Sequence, residues 1–403
     1  MTKVRGGQGA SSVQIRQYNL WFLMQQLRRL GQASKADLAR IAGLTATAIG
    51  ENVRELEGRG LIEAVGKRRE GKLGQPATLL RVNETGAFGI GVRIDSGRVE
   101  TVLVDLGGNI VDHRMHCIDL PPPRDTLALV TADISSLIDA APAETRNRIG
   151  GIGVARPFHR GSWPARRQLA DSGTAAQWDV AQFVTDLARA TGMTVFDETD
   201  GAAGAIAELF YGRQHGADDF FYLFLGPHIT GGLVLDGECR RWRTGNGGDI
   251  AVMPVSPSCL PSAPKPEGPY DILAARASID ALLRHLRHHD VVVAGPADLP
   301  QVMAAQRALA QEWIDDCAAA LTGPILSMHA LLDVPLVIMD SDLPQPWLDQ
   351  LIDRLRAILE GVRTPTRSVP QVERGSFGIY SGAIGAASLP LFSSTPSLWM
   401  RRR

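Results

Sequence analysis

Four cations lie within six residues, Lys67, Arg68, Arg69 and Lys72, in a segment punctuated by Gly66, Gly71 and Gly74. Ammonium and guanidinium groups this closely spaced suit a polyanion. They pair with phosphate oxygens, or enter a narrow DNA minor groove where the potential favours positive charge. Gln75, in the return segment Gly74-Gln75-Pro76, is counted with them. Upstream, Thr45, Thr47, Glu51 and Arg54 recur at spacings that turn them outward from a helix, while Ile49, Val53 and Leu56 take its inner side. Hydroxyl, carboxylate and guanidinium groups near the N-terminus of such a helix are the types that read base edges in a major groove. Asn52 is grouped with these readers, to a base edge or to the backbone.

Holding two such groups against one duplex requires specific elements. The apolar residues Ile15, Leu20, Phe22, Leu23, Leu27 and Leu30 predict a first helix over Val13–Leu30. Ser34 with Asp37 three residues on predicts a capping-box start for a second helix that runs to Gly43. Gly43-Leu44 turns the chain, and Thr45 caps a third helix through Leu56 and Glu57. Strand-like runs at Leu61–Val65 and Thr78–Val82 flank the basic tip. Helix, turn, helix and basic hairpin in this order predict a winged helix-turn-helix over residues 1–82, with operator DNA as its partner. The competing reading is a helix pair for protein contacts beside a merely solvated basic loop.

Charge divides at the same place. Residues 1–82 hold 14 Lys/Arg against 6 Asp/Glu, a balance of +8, and the other 321 residues hold 28 against 37, a balance of −9. A basic module joined to an acidic body is expected for a protein that meets a polyanion at one end. A chain of 403 residues predicts more than one folding unit. No apolar stretch approaches the roughly 20 residues of a membrane span, and the N-terminus lacks the apolar run of a secretory signal. Cys117, Cys239, Cys259 and Cys317 lie far apart without a CxxC pair, so reduced thiols in a cytoplasmic protein are expected.

The segments SKADLARIAGLT (34–45), GKLGQPATLLRVN (71–83) and AFGIGVRI (87–94) resemble regulators of the ROK family, and the resemblance continues towards the C-terminus. It implies an α/β fold class: the winged module joined to a two-lobed, actin-like (ribonuclease H-like) body, here residues 83–403, with a cleft between the lobes. The residues agree. Strands are expected at 89–94, 99–105, 149–154, 220–225, 232–235 and 334–339, and helices at 180–191, 203–211, 304–332 and 347–359.

Sugar kinases of that family carry motifs from which this chain departs. Their DxGGT is matched by Arg93-Ile94-Asp95-Ser96-Gly97, placing a cation where the carboxylate stands; Asp95 is expected as a turn residue. Their glycine-rich phosphate loop is matched by Gly226-Pro227-His228-Ile229-Thr230-Gly231-Gly232, where Pro227 removes an N–H donor. A later glycine pair is matched by Asp340-Ser341-Asp342. These changes predict no nucleotide cofactor and no catalytic residues.

On the sugar side, Asp200 in Glu198-Thr199-Asp200 takes the position of the family's catalytic base, with Thr199 beside it. The resemblance implies that both contact a carbohydrate-like effector; the plainer role for Asp200 is a helix N-terminal carboxylate. Arg156 replaces a cleft glycine and either binds an anionic ligand, pairs with Asp200, or forms an ordinary salt bridge. Asp249, in Gly248-Asp249-Ile250-Ala251-Val252, replaces a ligand-contacting glutamate. Val252 replaces a zinc-ligating histidine and only Cys259 stands nearby, so no metal is expected there. The resulting expectation is a regulator of carbohydrate-related genes, more a repressor than an activator, working as a homodimer or homotetramer. Its rivals are a retained sugar kinase and a ligand-independent regulator with a vestigial cleft.

Overall fold

The computed structural model describes residues 12–68, 77–118, 121–156, 178, 180–213, 217–240, 248–266, 268–366 and 368–393. It opens with α1 (Ser12–Leu30), β1 (Ala33–Ser34), α2 (Lys35–Ala42), α3 (Ala46–Gly58), β2 (Ile62–Arg68) and β3 (Ala77–Val82). The capping box forms as predicted: Asp37 N donates to Ser34 Oγ at 3.1 Å, and Ser34 N donates to Asp37 Oδ2 at 3.1 Å. Gly43 ends α2 at φ +63°, a left-handed turn that glycine enters without strain. Thr45 Oγ1 accepts from Ala48 N at 3.3 Å and starts α3. Leu23, Leu27, Leu38, Ile49, Val53, Leu56 and Leu80 close a small core between these elements. Two features lie beyond the sequence expectation. The two-residue β1 adds a third strand beside β3, and β2 runs through a bulge at Ala64/Gly66 as far as Arg68.

The body is built twice on one plan. The first sheet contains β4 (Phe88–Asp95), β5 (Arg98–Asp105), β6 (Ile110–His116), β7 (Ile149–Arg156) and β8 (Val195–Thr199), in the order β6-β5-β4-β7-β8. The second contains β9 (Phe220–Leu225), β10 (Ile229–Leu235), β11 (Glu238–Cys239), β14 (Leu336–Ser341) and β15 (Gln371–Arg374), in the order β11-β10-β9-β14-β15. Each begins as an antiparallel meander and ends with two strands parallel to its first. A short β12 (Pro254–Val255) pairs with β13 (Asp271–Ile272) outside both. This duplicated order is the two-lobed mixed α/β architecture expected from the sequence.

Parallel strands need long crossovers, and helices supply them. α4 (Pro123–Ala140), α5 (Ala143–Arg146) and α6 (Val180–Thr191) serve the first lobe. α8 (Ile279–His288), α9 (Leu299–Ala305), α10 (Arg307–Leu332) and α11 (Gln345–Gly361) serve the second. The single helix expected over 304–332 is broken at Gln306 (φ −110°, ψ 49°) into α9 and α10. Two further helices lie between the sheets: α7 (Asp200–Tyr211), which joins the lobes, and α12 (Ser381–Ser393). Glycines allow their close approach. A Cβ on Gly385 would overlap the Ala203 carbonyl, and one on Gly91 would overlap that of Ala383. Strands β4 and β9 are buried at every position, as expected of central strands covered on both faces. Among the described residues, no helix is long and apolar enough to cross a membrane.

Candidate functional site

The outer face of α3 carries Thr45, Thr47, Glu51 and Arg54, all exposed. Arg54 Nε donates to the Gly50 carbonyl at 3.1 Å, one turn back along the helix. Asn52 does not belong to this face. It is 4% exposed and continues the inner row Ile49, Val53, Leu56, because positions 49, 52, 53 and 56 share one side of a 3.6-residue helix. Lys67 is exposed near the end of β2, and Arg68 closes that strand opposite Ala77. Arg69, Lys72 and Gln75 lie outside the described residues.

The cleft is built from the facing ends of the two sheets. In the β4–β5 hairpin, Arg93 pairs with Glu100 and Asp95 with Arg98, so the strand alternation turns four charged side chains to one face. Opposite them stand Asp200 at the first position of α7, Phe224 on β9, Asp340 near the end of β14 and Asp342 just after it. Arg93 is 1% exposed. Its Nε and Nη2 donate to the two oxygens of Asp200 at 2.8 and 2.9 Å, and Nη2 also reaches Asp95 Oδ2 at 3.3 Å. Nη1 donates to the Ile379 carbonyl at 3.3 Å, and the guanidinium lies over the Phe224 ring at 4.3 Å. Burial disfavours its charge, but Asp200, Asp95 and Asp342 outweigh that and hold it protonated well above the usual arginine value. Burial pushes the Asp200 carboxyl up while Arg93 pulls it back. Asp95, buried beside Arg93 and accepting from Ser96 N at 2.6 Å, is held below the usual carboxylate range. It is both the turn residue expected and a partner of the buried cation.

Around this pair the site is rich in carboxylates. Arg98 Nη2 donates to Asp342 Oδ1 at 2.8 Å. Asp340, 1% exposed, accepts from Tyr222 Oη at 3.1 Å and Gly378 N at 2.9 Å, and burial raises it to about 6. Glu208 accepts from Ser376 Oγ at 3.0 Å and is raised to about 7 by burial and then by Asp340. Glu100 is fully buried, neither of its oxygens makes a hydrogen bond among the described residues, and desolvation raises it to about 7. Burial leaves the Asp200 carboxyl above its usual value, but Arg93 engages both of its oxygens and fills the space before them.

Of the residues singled out from the sequence, Thr199 and Asp200 are brought into the cleft, each 6% exposed. Arg156 is not joined to Asp200; its Nε donates to Asp197 Oδ2 at 2.9 Å across the β7–β8 ladder. Asp249 follows Gly248, whose carbonyl accepts from Gly231 N at 3.1 Å, and the Gly231 backbone abuts Gly201 of α7. The glycine-rich loop is a tight turn between β9 and β10, with Gly226 N donating to the His228 carbonyl at 3.2 Å. Glu100 and the Arg93–Asp200 pairing were missed, although the alternation of Arg93, Asp95, Arg98 and Glu100 about the turn at 96–97 was a usable signal.

Where zinc ligands would stand in family kinases, Val252 is 48% exposed and Cys259 is exposed. That loop is held by an ion pair: Arg276 Nη2 and Nε donate to Asp316 at 2.6 and 3.0 Å, and Ser258 Oγ donates to Asp316 Oδ1 at 2.9 Å. Arg276 Nη1 adds a bond to the Ser256 carbonyl at 2.8 Å.

Comparison with known proteins gives a consistent result. The ROK family profile matches residues 89–391. The uncharacterised protein y4fQ of Sinorhizobium fredii is 27% identical over 368 residues, 89% of this chain and 87% of that one. The xylose repressor of Bacillus spizizenii is 21% identical over 61% of this chain and 63% of its own length. The DNA-binding transcriptional repressor Mlc of Escherichia coli is 25% identical over 56% and 55%. Thus the chain spans under two thirds of both repressors. Among solved structures, a ROK family transcriptional regulator described as a homologue of the E. coli Mlc protein superposes with TM-score 0.70 at 20% identity, over 94% of this chain and 96% of that one. A ROK family glucokinase from Streptomyces griseus gives 0.58 at 18% identity, over 75% of this chain and 99% of its own.

Proposed function

Because this chain belongs to the ROK family, we propose that it is a DNA-binding transcriptional regulator, a repressor of carbohydrate-related genes, and not an enzyme. Residues 1–82 are its DNA-binding module and residues 83–403 its ligand-sensing and oligomerising body. The observation that carries the reading is the outward face of α3, where Thr45, Thr47, Glu51 and Arg54 are exposed beside a wing strand bearing Lys67. Two relatives are named as repressors, and the chemistry of the cleft points away from phosphoryl transfer, since Arg93 occupies both oxygens of Asp200. The protein works in the cytoplasm as a homodimer or homotetramer, because paired modules match palindromic operators.

A carbohydrate-like effector in the cleft shifts the lobes and hence the spacing of the paired modules. Thr199, Asp200, Asp249 and Arg156 are its proposed contacts. A second reading, regulation without a ligand, is favoured by the same Arg93–Asp200 pair, which fills the space a sugar hydroxyl would need. Thermal melting with sugars, sugar acids and sugar phosphates separates the two, because a ligand of the native state raises the midpoint with concentration. A saturable rise for one class, lost in Asp200→Asn, supports sensing. No rise for any class, with operator binding intact, establishes the second reading. No operator binding at all overturns both.

A further inference from the structure

We propose that His285, His289 and Glu312 form a transition-metal site on the second lobe, of the class that takes Zn2+, Ni2+ or Cu2+. The site is separate from the cleft and uses neither Val252 nor Cys259, the region where family kinases keep zinc, although Ser262 of the same loop touches it. His285 lies in the last turn of α8, and His289, four residues on, is the residue that caps its C-terminus. Glu312 on α10 faces them, and one donor atom from each of the three lies within 4.8 Å of the others. Two imidazoles at this spacing with a carboxylate from a second element match the donor set of open zinc sites, whose remaining position is left to water.

The state of His285 is the independent observation. Its side chain is 1% exposed, yet among the described residues Nε2 has no hydrogen-bond partner; Glu312 Oε2 stands 3.5 Å away and the Leu309 backbone lies close by. A buried ring nitrogen aimed at a histidine and a carboxylate without a bond of its own is where a cation gains most. The other nitrogen, Nδ1, is 2.8 Å from Ser262 Oγ. With Nδ1–H donating to that hydroxyl, the Nε2 lone pair is left for a metal, the outer contact that fixes the tautomer of ligating histidines. The His285 and His289 rings meet edge to face at 5.1 Å and 75°.

A plain His–Glu ion pair is the rival account, and it requires a charged His285. The 3.5 Å from Nε2 to Glu312 Oε2 is longer than an ordinary N–H···O hydrogen bond and leaves room for an ion between them. Entry from solvent is open, since Glu312 is 52% exposed and His289 is exposed. Nitrogen and oxygen donors favour Cu2+, Ni2+ and Zn2+ over Mg2+ or Ca2+. A bound ion would clamp the end of α8 to α10.

The test uses the full-length protein, stripped with chelator and titrated with Zn2+ by calorimetry and with Co2+ by visible absorption. One equivalent of Zn2+ per chain is expected, with Co2+ bands that Zn2+ displaces. His289→Ala and Glu312→Gln change exposed side chains and preserve the fold, which circular dichroism verifies. Each should weaken Zn2+ by roughly tenfold or more, and Ser262→Ala by about tenfold through the His285 tautomer. The proposal is overturned if wild type shows no saturable Zn2+ binding. It is equally overturned if both ligand variants bind as wild type does, which would place the ion elsewhere, for instance at Cys259.

Discussion

Asp200 and Tyr211 are the first and last residues of one helix, and each holds an arginine from a different part of the chain. Asp200 binds Arg93 of the cleft at 2.8 and 2.9 Å, and the Tyr211 ring lies 5.2 Å from the guanidinium of Arg28 in α1. At about 1.5 Å per residue the helix spans roughly 18 Å. It therefore connects the cleft to the first helix of the N-terminal module by a rigid element. Arg28 also lies 4.6 Å from the Phe392 ring and donates to the Leu106 carbonyl at 2.9 Å, and Arg29 adds an ion pair to Asp218.

Arg28→Ala should loosen the N-terminal module from the body. Among the described residues the guanidinium has that single hydrogen bond, with Nε and Nη1 making none, so its hold is mainly packing and cation–π attraction. Removing that packing and attraction should cost about 2 kcal/mol. Calorimetry should show one transition for the wild type and two for the variant, with the module melting first. An unchanged, single transition would show that α7 and α1 are not mechanically joined through Arg28.

Arg93→Ala should be among the most damaging single changes in the body. It leaves the Asp200 carboxylate buried beside Asp95 without its cation, at a cost of about 3–5 kcal/mol. The double variant Arg93→Ala with Asp200→Ala should recover much of the loss, since neither charge is then stranded. Urea unfolding of the two single variants and the double variant gives the coupling directly. Additive losses would mean the pair contributes little as a pair.

The same pair bears on catalysis. Wild type incubated with ATP, Mg2+ and a panel of hexoses should form no sugar phosphate, because Arg93 engages both Asp200 oxygens and stands where a sugar hydroxyl would approach. Hexose phosphorylation abolished by Asp200→Asn would overturn the non-enzymatic reading.

Much of this arrangement was legible in the sequence. Ser34, Asp37, Gly43 and Thr45 announce their helix ends because caps are local chemistry, read within four residues. The strand at 220–225 announces itself by an unbroken apolar run, and the one at 89–94 by an apolar run interrupted only at Arg93. Helix α12 did not, since Ser381-Gly382-Ala383-Ile384-Gly385-Ala386-Ala387 is small on every side and has no amphipathic period. Its packing between two sheets requires that smallness, and the requirement appears only in three dimensions. The cleft was half legible. Arg93 was visible as a departure from a motif, but its partner 107 residues away depends on how α7 is docked. Asn52 was misassigned because its type suggests a base contact, whereas its angular position on α3 places it inside.

Stability should fall as pH rises from about 4.5 to about 7. Glu100 is shifted from 4.5 to about 7 by burial, Glu208 likewise to about 7, and Asp340 to about 6. Carboxyls raised in the folded state bind protons that the unfolded chain has released, so their contribution is full below the unfolded value and lost through the folded one. For Glu100, the rise from 4.5 to about 7 corresponds to on the order of 3 kcal/mol. Glu100→Gln should therefore melt higher than wild type at pH 8 and differ little at pH 4.5. Equal pH dependence of the two proteins would show that Glu100 is hydrated.

The wing and α3 should contribute to DNA binding in different ways. Lys67 and Arg68 end β2, and if they meet phosphates as proposed, each replacement by Ala should weaken operator and scrambled duplexes alike. The dependence of log K on log salt should flatten by about one unit for each phosphate left unneutralised, because its counterion is then no longer released on binding. Thr47 and Arg54 face outward on α3 and should act on sequence preference instead. Substituting either should change the ratio of operator to scrambled affinity by about 1–3 kcal/mol and leave the salt slope nearly unchanged. Asn52→Ala distinguishes the structure from the sequence pattern, since a residue 4% exposed should affect stability before specificity. Titrations of each variant against both duplexes at several salt concentrations decide the matter. Wing variants that bind both duplexes as tightly as wild type would leave the basic strand end a solvated face. Normal operator binding by residues 83–403 alone would remove the DNA-binding role from the N-terminal module.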